Sequence, residues 1–121
     1  MNFDVLYFVD EKGDAPVRDY VKKLPDQDRA KVYAYLKHLS DVGYKIRRPF
    51  GDYMGGKTGL YELRPGRHRI IYFFLVKNKI ILLHVFLKKT DAIPEKDIDT
   101  ALGRKEICEV LMKYDKVDFG E

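Results

Sequence analysis

The sequence holds one cysteine, Cys108, and three histidines, His38, His68 and His84, and lacks any apolar run approaching the roughly 20 residues that span a bilayer. A single cysteine excludes an intramolecular disulfide framework and any Cys-rich metal site, and makes a reducing compartment the default. Histidines so far apart form no zinc motif. The opening "MNFDVLYFVDEKGD" has no basic flank before its apolar run and meets acidic residues at once, so it does not read as a signal peptide. The Gly-rich "GDYMGGKTG" is not read as a phosphate loop following a strand. The expectation is a cytoplasmic protein with no metal, no cofactor and no membrane attachment.

What is present is charge, unevenly placed. The chain of 121 residues carries a net +4. The segment from Lys45 to Lys89 holds eleven Lys/Arg against two acids, Asp52 and Glu62, a net +9, whereas the remainder holds twelve against seventeen, a net −5. Such asymmetry points to a polyanion-binding centre flanked by more acidic helices. With 45% apolar residues, the length fits one domain spanning residues 1–121.

Alternation in "FDVLYFV" predicts an opening strand. "DAPVRDYVKKL" has Asp14 as an expected N-cap, Pro16 in the first turn and Val17, Tyr20, Val21 and Leu24 at helical spacing. Pro25 separates it from a second helix with Val32, Leu36 and Leu39 buried, closing at Gly43. Residues 44 to 59 read as a loop with at most a short bridging strand. "LYELR", "HRIIYFFLV" and "IILLHVFLKK" then form an antiparallel meander, with a tight turn at Asn78 between its lysines. A last helix is expected over residues 95–114. The predicted fold class is α+β, in the order β-α-α-β-β-β-α, an antiparallel-dominated sheet packed against an N-terminal helical hairpin.

Alternation puts Tyr61 and Leu63 on one strand face and Glu62 and Arg64 on the other. Arg67 and His68 follow in the turn, Arg69 begins the next strand, and Lys88 and Lys89 end the strand after "LLHVFL". Arg64, Arg67, Arg69 and at least one of the two lysines are therefore expected to converge at one strand tip, with Glu62 and His68 in reach. His84, inside an apolar strand, reads as a hydrogen-bonded core histidine, and Tyr61 and Tyr72 are the aromatics placed to stack on a base.

The segments "LYELRPGRHRIIYFF", "IILLHVFLKKTDAIPEKDIDTALGR" and "GDAPVRDYVKKL" resemble the RelE/ParE superfamily of toxins, and within it the HigB-like, phage-derived Gp49-like branch. The resemblance covers about residues 3–105 and leaves out the tail "YDKVDFGE". It implies a RelE-like fold, a toxin that cuts messenger RNA on the ribosome, and a HigA-like helix-turn-helix antitoxin as partner. A ParE-like inhibitor of DNA gyrase and an inactive RNA-binding member are the alternatives. The strand arginine of RelE corresponds to Arg69, its basic pair to Lys88 and Lys89, and the arginine of "ELR" is Arg64. Glu62 and Leu60 stand where RelE has lysines, and no residue matches its C-terminal catalytic tyrosine. On this reading Arg69 and Lys89 clamp the transition state, assisted by Arg64 and Lys88. Glu62 or His68 accepts the proton, and Arg67, Lys57, Arg47, Arg48 and Tyr61 hold RNA or ribosome.

Overall fold

Strand-forming residues that are apolar on both faces give the chain its centre. In the computed structural model, which describes residues 2–76, 78–111 and 114–116, the elements are β1 (Asp4–Phe8), α1 (Pro16–Lys22), α2 (Asp26–Val42), a 3-10 turn (Gly43–Lys45), β2 (Gly51–Tyr53), β3 (Tyr61–Leu63), β4 (His68–Leu75), β5 (Lys79–Leu87), α3 (Glu95–Leu111) and β6 (Tyr114–Lys116). The six strands lie in the order β2-β3-β4-β5-β1-β6, with β1 parallel to β5 and every other pairing antiparallel. This is the expected α+β class with two short strands added.

Each face of the sheet has its own core. Val5, Tyr7, Ile70, Tyr72, Ile80 and Leu82 pack with Val17, Val21, Val32, Leu36 and Leu39 of α1 and α2. Leu6, Phe8, Ile71, Phe73, Ile81 and Leu83 pack with Ala101 and Cys108 of α3. Period-two alternation divides the strands between these layers, and "IILL" is apolar throughout because β5 is covered on both sides. Each of its wholly buried Ile and Leu side chains contributes about 1.5–3 kcal/mol. Among the described residues no helix is long and apolar enough to cross a membrane.

Gly43 ends α2 with φ +52°, and a Cβ there would lie 2.0 Å from the Phe3 ring. Phe3 is fixed against this reversal by its N–H to Ser40 O, at 2.7 Å, and by the Ser40 hydroxyl donating to its own carbonyl, also at 2.7 Å. Only glycine meets both demands.

Two expectations need correcting and one is refined. Asp14 is not the cap of α1: Ala15 holds that position without a side-chain cap, and the Asp14 N–H is taken by Asp10 Oδ1 at 2.9 Å. The Asp10 side chain organises this turn, and it closes before the helix begins. The last helix is described as far as Leu111, and Tyr114, expected as its end, opens β6 beside Phe8. Pairing with the open edge of β1 satisfies backbone groups that helical periodicity does not register. The refinement is that the short bridging strand allowed within residues 44 to 59 is β2, paired to β3 from Gly51 to Tyr53. Met112, Lys113, Lys77 of the expected turn and the tail residues 117–121 lie outside the described residues.

Candidate functional site

Pro65, Gly66 and Arg67 turn β3 into β4, Gly66 taking a φ of +64° that favours glycine. The register pairs Leu63 with Ile70, which sets Arg64 beside Arg69, and pairs Arg69 with Phe86. Glu62 lies two residues from Arg64 on the same face, directly opposite Asp52 of β2. The Lys88 N–H donates to Arg67 O at 2.7 Å and continues the ladder beyond β5. Glu62, Arg64, Arg69, Phe86 and Lys88 thus share the α3 side of the sheet. The chain from Thr90 to Ile93 closes over them, leaving a cleft of about 40 Å³.

Charge in this cleft is only partly compensated. Glu62, 5% exposed, accepts from Arg64 Nε in a tight ion pair. Lys88 Nζ lies 3.5 Å from Asp91 Oδ1. Arg69 Nη1 instead donates to two turn carbonyls, Gly66 O at 2.8 Å and His68 O at 2.9 Å, and among the described residues it makes no ion pair. Burial lowers its pKa, with nearby Glu62 opposing and Arg64 adding to the shift. A guanidinium nevertheless stays charged at neutral pH. Among the described residues the cleft therefore offers one cation without an ion-pair partner beside two paired ones, an arrangement suited to a phosphate group. At its rim, Arg48 bonds Asp52 at 2.9 Å and holds that carboxyl below its usual range.

A family model, "Phage derived protein Gp49-like", matches residues 19–106, which include every residue of the cleft. The chain belongs to the Gp49-like family. This is a toxin family of the RelE/ParE type, from toxin–antitoxin systems, and membership implies an antitoxin partner. No curated protein matches the chain.

Several residues expected at the strand tip lie elsewhere in this Gp49-like chain. His68 projects from the opposite face, beneath α1 and α2. Its Nδ1 lies 2.9 Å from the Tyr20 hydroxyl and its Nε2 lies 3.0 Å from Asp28 Oδ2. The carboxylate accepts, so Nε2 carries a proton and donates to Asp28, while Nδ1 and the Tyr20 hydroxyl share the second bond. Burial, and then the charge of Asp28, raise the Tyr20 pKa. With both ring nitrogens occupied, His68 is not placed with the cleft. Arg67 turns to the same side as His68, and Lys89 lines a groove with Leu87 and Lys96. Strand parity separates His68 from Arg69 and Lys89 from Lys88, since consecutive residues alternate faces, whereas Arg67 precedes β4 and its side is set by the turn.

Lys57 lies in the loop from β2 to β3, at the end of that hairpin remote from Arg64, because the Arg64 N–H to Phe50 O bond closes the other end. Gly51 to Thr58 does have the spacing G-x-x-x-x-G-K-T. Here, however, its first residues are β2 and its last lead into β3, so no helix N-terminus stands behind Lys57 to hold a phosphate. Arg47 is exposed, and its carbonyl accepts from Phe50 N–H. Tyr61 is half-buried on the α1/α2 face, stacked on Tyr72 at 5.5 Å. Tyr72 is wholly buried, which removes it as a base-stacking surface.

His84 is hydrogen-bonded as expected: Nε2 lies 2.6 Å from Asp97 Oδ1, and Arg104 Nη1 approaches Nδ1 at 3.3 Å. It pins α3 to β5. The cleft residues that sequence reasoning missed are Phe86, Thr90, Asp91, Ala92 and Ile93. Phe86 carried a signal, because it shares strand parity with Lys88. Asp91 had none, since the path of its loop is set by α3 docking.

Proposed function

We propose that this chain is a ribosome-dependent endoribonuclease that cuts messenger RNA and stops translation, held inactive by a HigA-like helix-turn-helix antitoxin. The observation that carries this reading is Arg69: a partly buried guanidinium that makes no ion pair among the described residues, oriented by Gly66 O and His68 O, and flanked by Arg64 and Lys88. Cleavage through the 2′-hydroxyl needs a proton acceptor, in-line attack that forms a 2′,3′-cyclic phosphate as the bond to the 5′-oxygen breaks, a proton for that leaving oxygen from water, and stabilisation of the charge that gathers on the phosphate oxygens. Arg69 meets the phosphate oxygens, a fixed cation costing no reorganisation as charge develops. Arg64 and Lys88 assist from either side, and Lys88 exchanges Asp91 for phosphate. Glu62 is the carboxylate at the cleft and takes the 2′-hydroxyl proton. Its bond to Arg64 orients it and also weakens it as a base. Lys89, Arg67, Arg47, Arg48 and Lys57 are outside the reacting group and engage RNA or ribosome backbone.

The test is induction of the wild-type chain and the Arg69→Ala variant in growing bacteria, with messenger 5′ ends mapped and folding checked. Translation-dependent cuts by the wild type alone support the reading. Equal cutting by both removes Arg69 from the mechanism, and growth arrest with intact messages points to a target other than RNA.

A further inference from the structure

β5 outruns its neighbour. β1 pairs alongside it only as far as Tyr7 with Leu82, whereas β5 continues to Leu87. The bond from Lys88 N–H to Arg67 O fixes which residues bond β4, and antiparallel pairs alternate, so the main-chain groups of Val85 and Leu87 point away from β4. On that side Arg104 Nη1 caps Leu83 O at 2.9 Å. Among the described residues no strand pairs with Val85 or Leu87 there.

Two grooves meet over this open edge, both lined by Tyr20 and Leu87. One, about 720 Å³, lies between the α1–α2 hairpin and the β3–β4 turn, with Leu24, Pro25 and Pro65 as its apolar base. The other, about 740 Å³, lies between the end of β5 and the start of α3, with Phe86 and Pro94. Leu87 is 41% exposed between them. Lys23, Lys31 and Arg67 rim the first, and Lys89 and Lys96 the second. None of these five forms an ion pair among the described residues. The two carboxylates present, Asp28 and Asp97, are each taken by an imidazole.

We infer that this edge is the docking site for an extended acidic segment of a partner protein, which adds a short strand beside Val85 and Leu87. Open strand groups pair with a peptide backbone, the apolar floor takes alternate side chains, and the unpaired cations take Asp or Glu. RNA would satisfy the cations and leave the strand edge unmet. Gly66 and Arg67 line the groove while Gly66 O holds Arg69, so an occupant also bears on the cleft across the sheet. The inference rests on the proposed antitoxin as the partner and adds where it binds.

The experiment mixes the chain with the antitoxin encoded beside it, measuring affinity by calorimetry and amide exchange by NMR. Leu87→Pro removes only an outward N–H and leaves the β4 ladder intact. Lys23→Glu/Lys31→Glu reverses the rim, and melting curves confirm that both variants fold. The expected result is protection of the Val85 and Leu87 amides only in the complex, and about a tenfold or greater loss of affinity in each variant. Wild-type affinity in both variants without protection overturns the docking site and leaves the antitoxin reading standing. No binding to the wild-type chain overturns both. Competition by a single-stranded 12-mer RNA, weakened by the lysine reversals while the two amides stay unprotected, assigns the grooves to RNA and also overturns the inference.

Discussion

His68 and Arg69, adjacent in the chain, stand on opposite faces of the sheet: His68 bonds Tyr20 and Asp28 beneath the helical hairpin, while Arg69 faces the cleft with Glu62 and Arg64. One residue thus anchors the turn, and the next uses its carbonyls as a mount. The two are separable by mutation.

His68→Ala breaks two hydrogen bonds in a partly buried site and is expected to cost about 1–3 kcal/mol of stability while cleavage per folded molecule persists. Arg69→Ala should do the reverse, leaving the urea midpoint nearly unchanged and abolishing cleavage. Paired denaturation and single-turnover cleavage measurements decide. Loss of cleavage in a fully folded His68→Ala chain would return the histidine to the mechanism.

Glu62→Gln keeps the shape and an acceptor for Arg64 but no base. Cleavage is expected to fall by about a hundredfold or more, the scale of general-base catalysis. Stability should fall by about 1–3 kcal/mol, because a buried charge-assisted bond is weakened. Cleavage within twofold of wild type would show that Glu62 serves only to hold Arg64.

Asp97→Asn disturbs the pin between α3 and β5, where Asp97 is buried at 2.6 Å from His84. A loss of about 1–3 kcal/mol is expected, with faster amide exchange at the start of α3. Exchange as slow as in the wild type would place the anchoring of α3 in its apolar face alone.

Cys108 is wholly buried, and burial, with Glu109 adding, pushes its thiol up to about 11. In the unfolded chain it titrates near about 8.5, so above that pH the unfolded state binds fewer protons than the folded one. Its contribution is complete below about pH 8.5 and is lost as pH rises through about 11. Urea midpoints at pH 8 and pH 10.5 should therefore fall more steeply for the wild type than for Cys108→Ala. Equal slopes would show that the thiol ionises freely in the fold.

Most of the elements were legible because they are periodic. Val17 and Val21, Val32, Leu36 and Leu39, and the alternating strands from Leu60 onward each mark a buried face in the order of residue types. Alternation also held a warning that a compact reading of the turn passes over: residues 67, 68 and 69 cannot share one face of a strand. Lys88 and Lys89 part for the same reason.

The sequence by itself determined that a helix would form around Val32 and Leu36, that "HRIIYFFLV" and "IILLHVFLKK" would be strands, and that cations would gather between residues 45 and 89, since local spacing and composition dictate these. Only the tertiary structure decided which of those cations stay unpaired. That Arg64 is held by Glu62, Lys88 by Asp91 and Arg69 by carbonyls alone depends on strand register and on the path of a loop after β5. The same holds for β6 and for the open edge at Val85 and Leu87, because unpaired backbone on one strand is a property of where its neighbours stop.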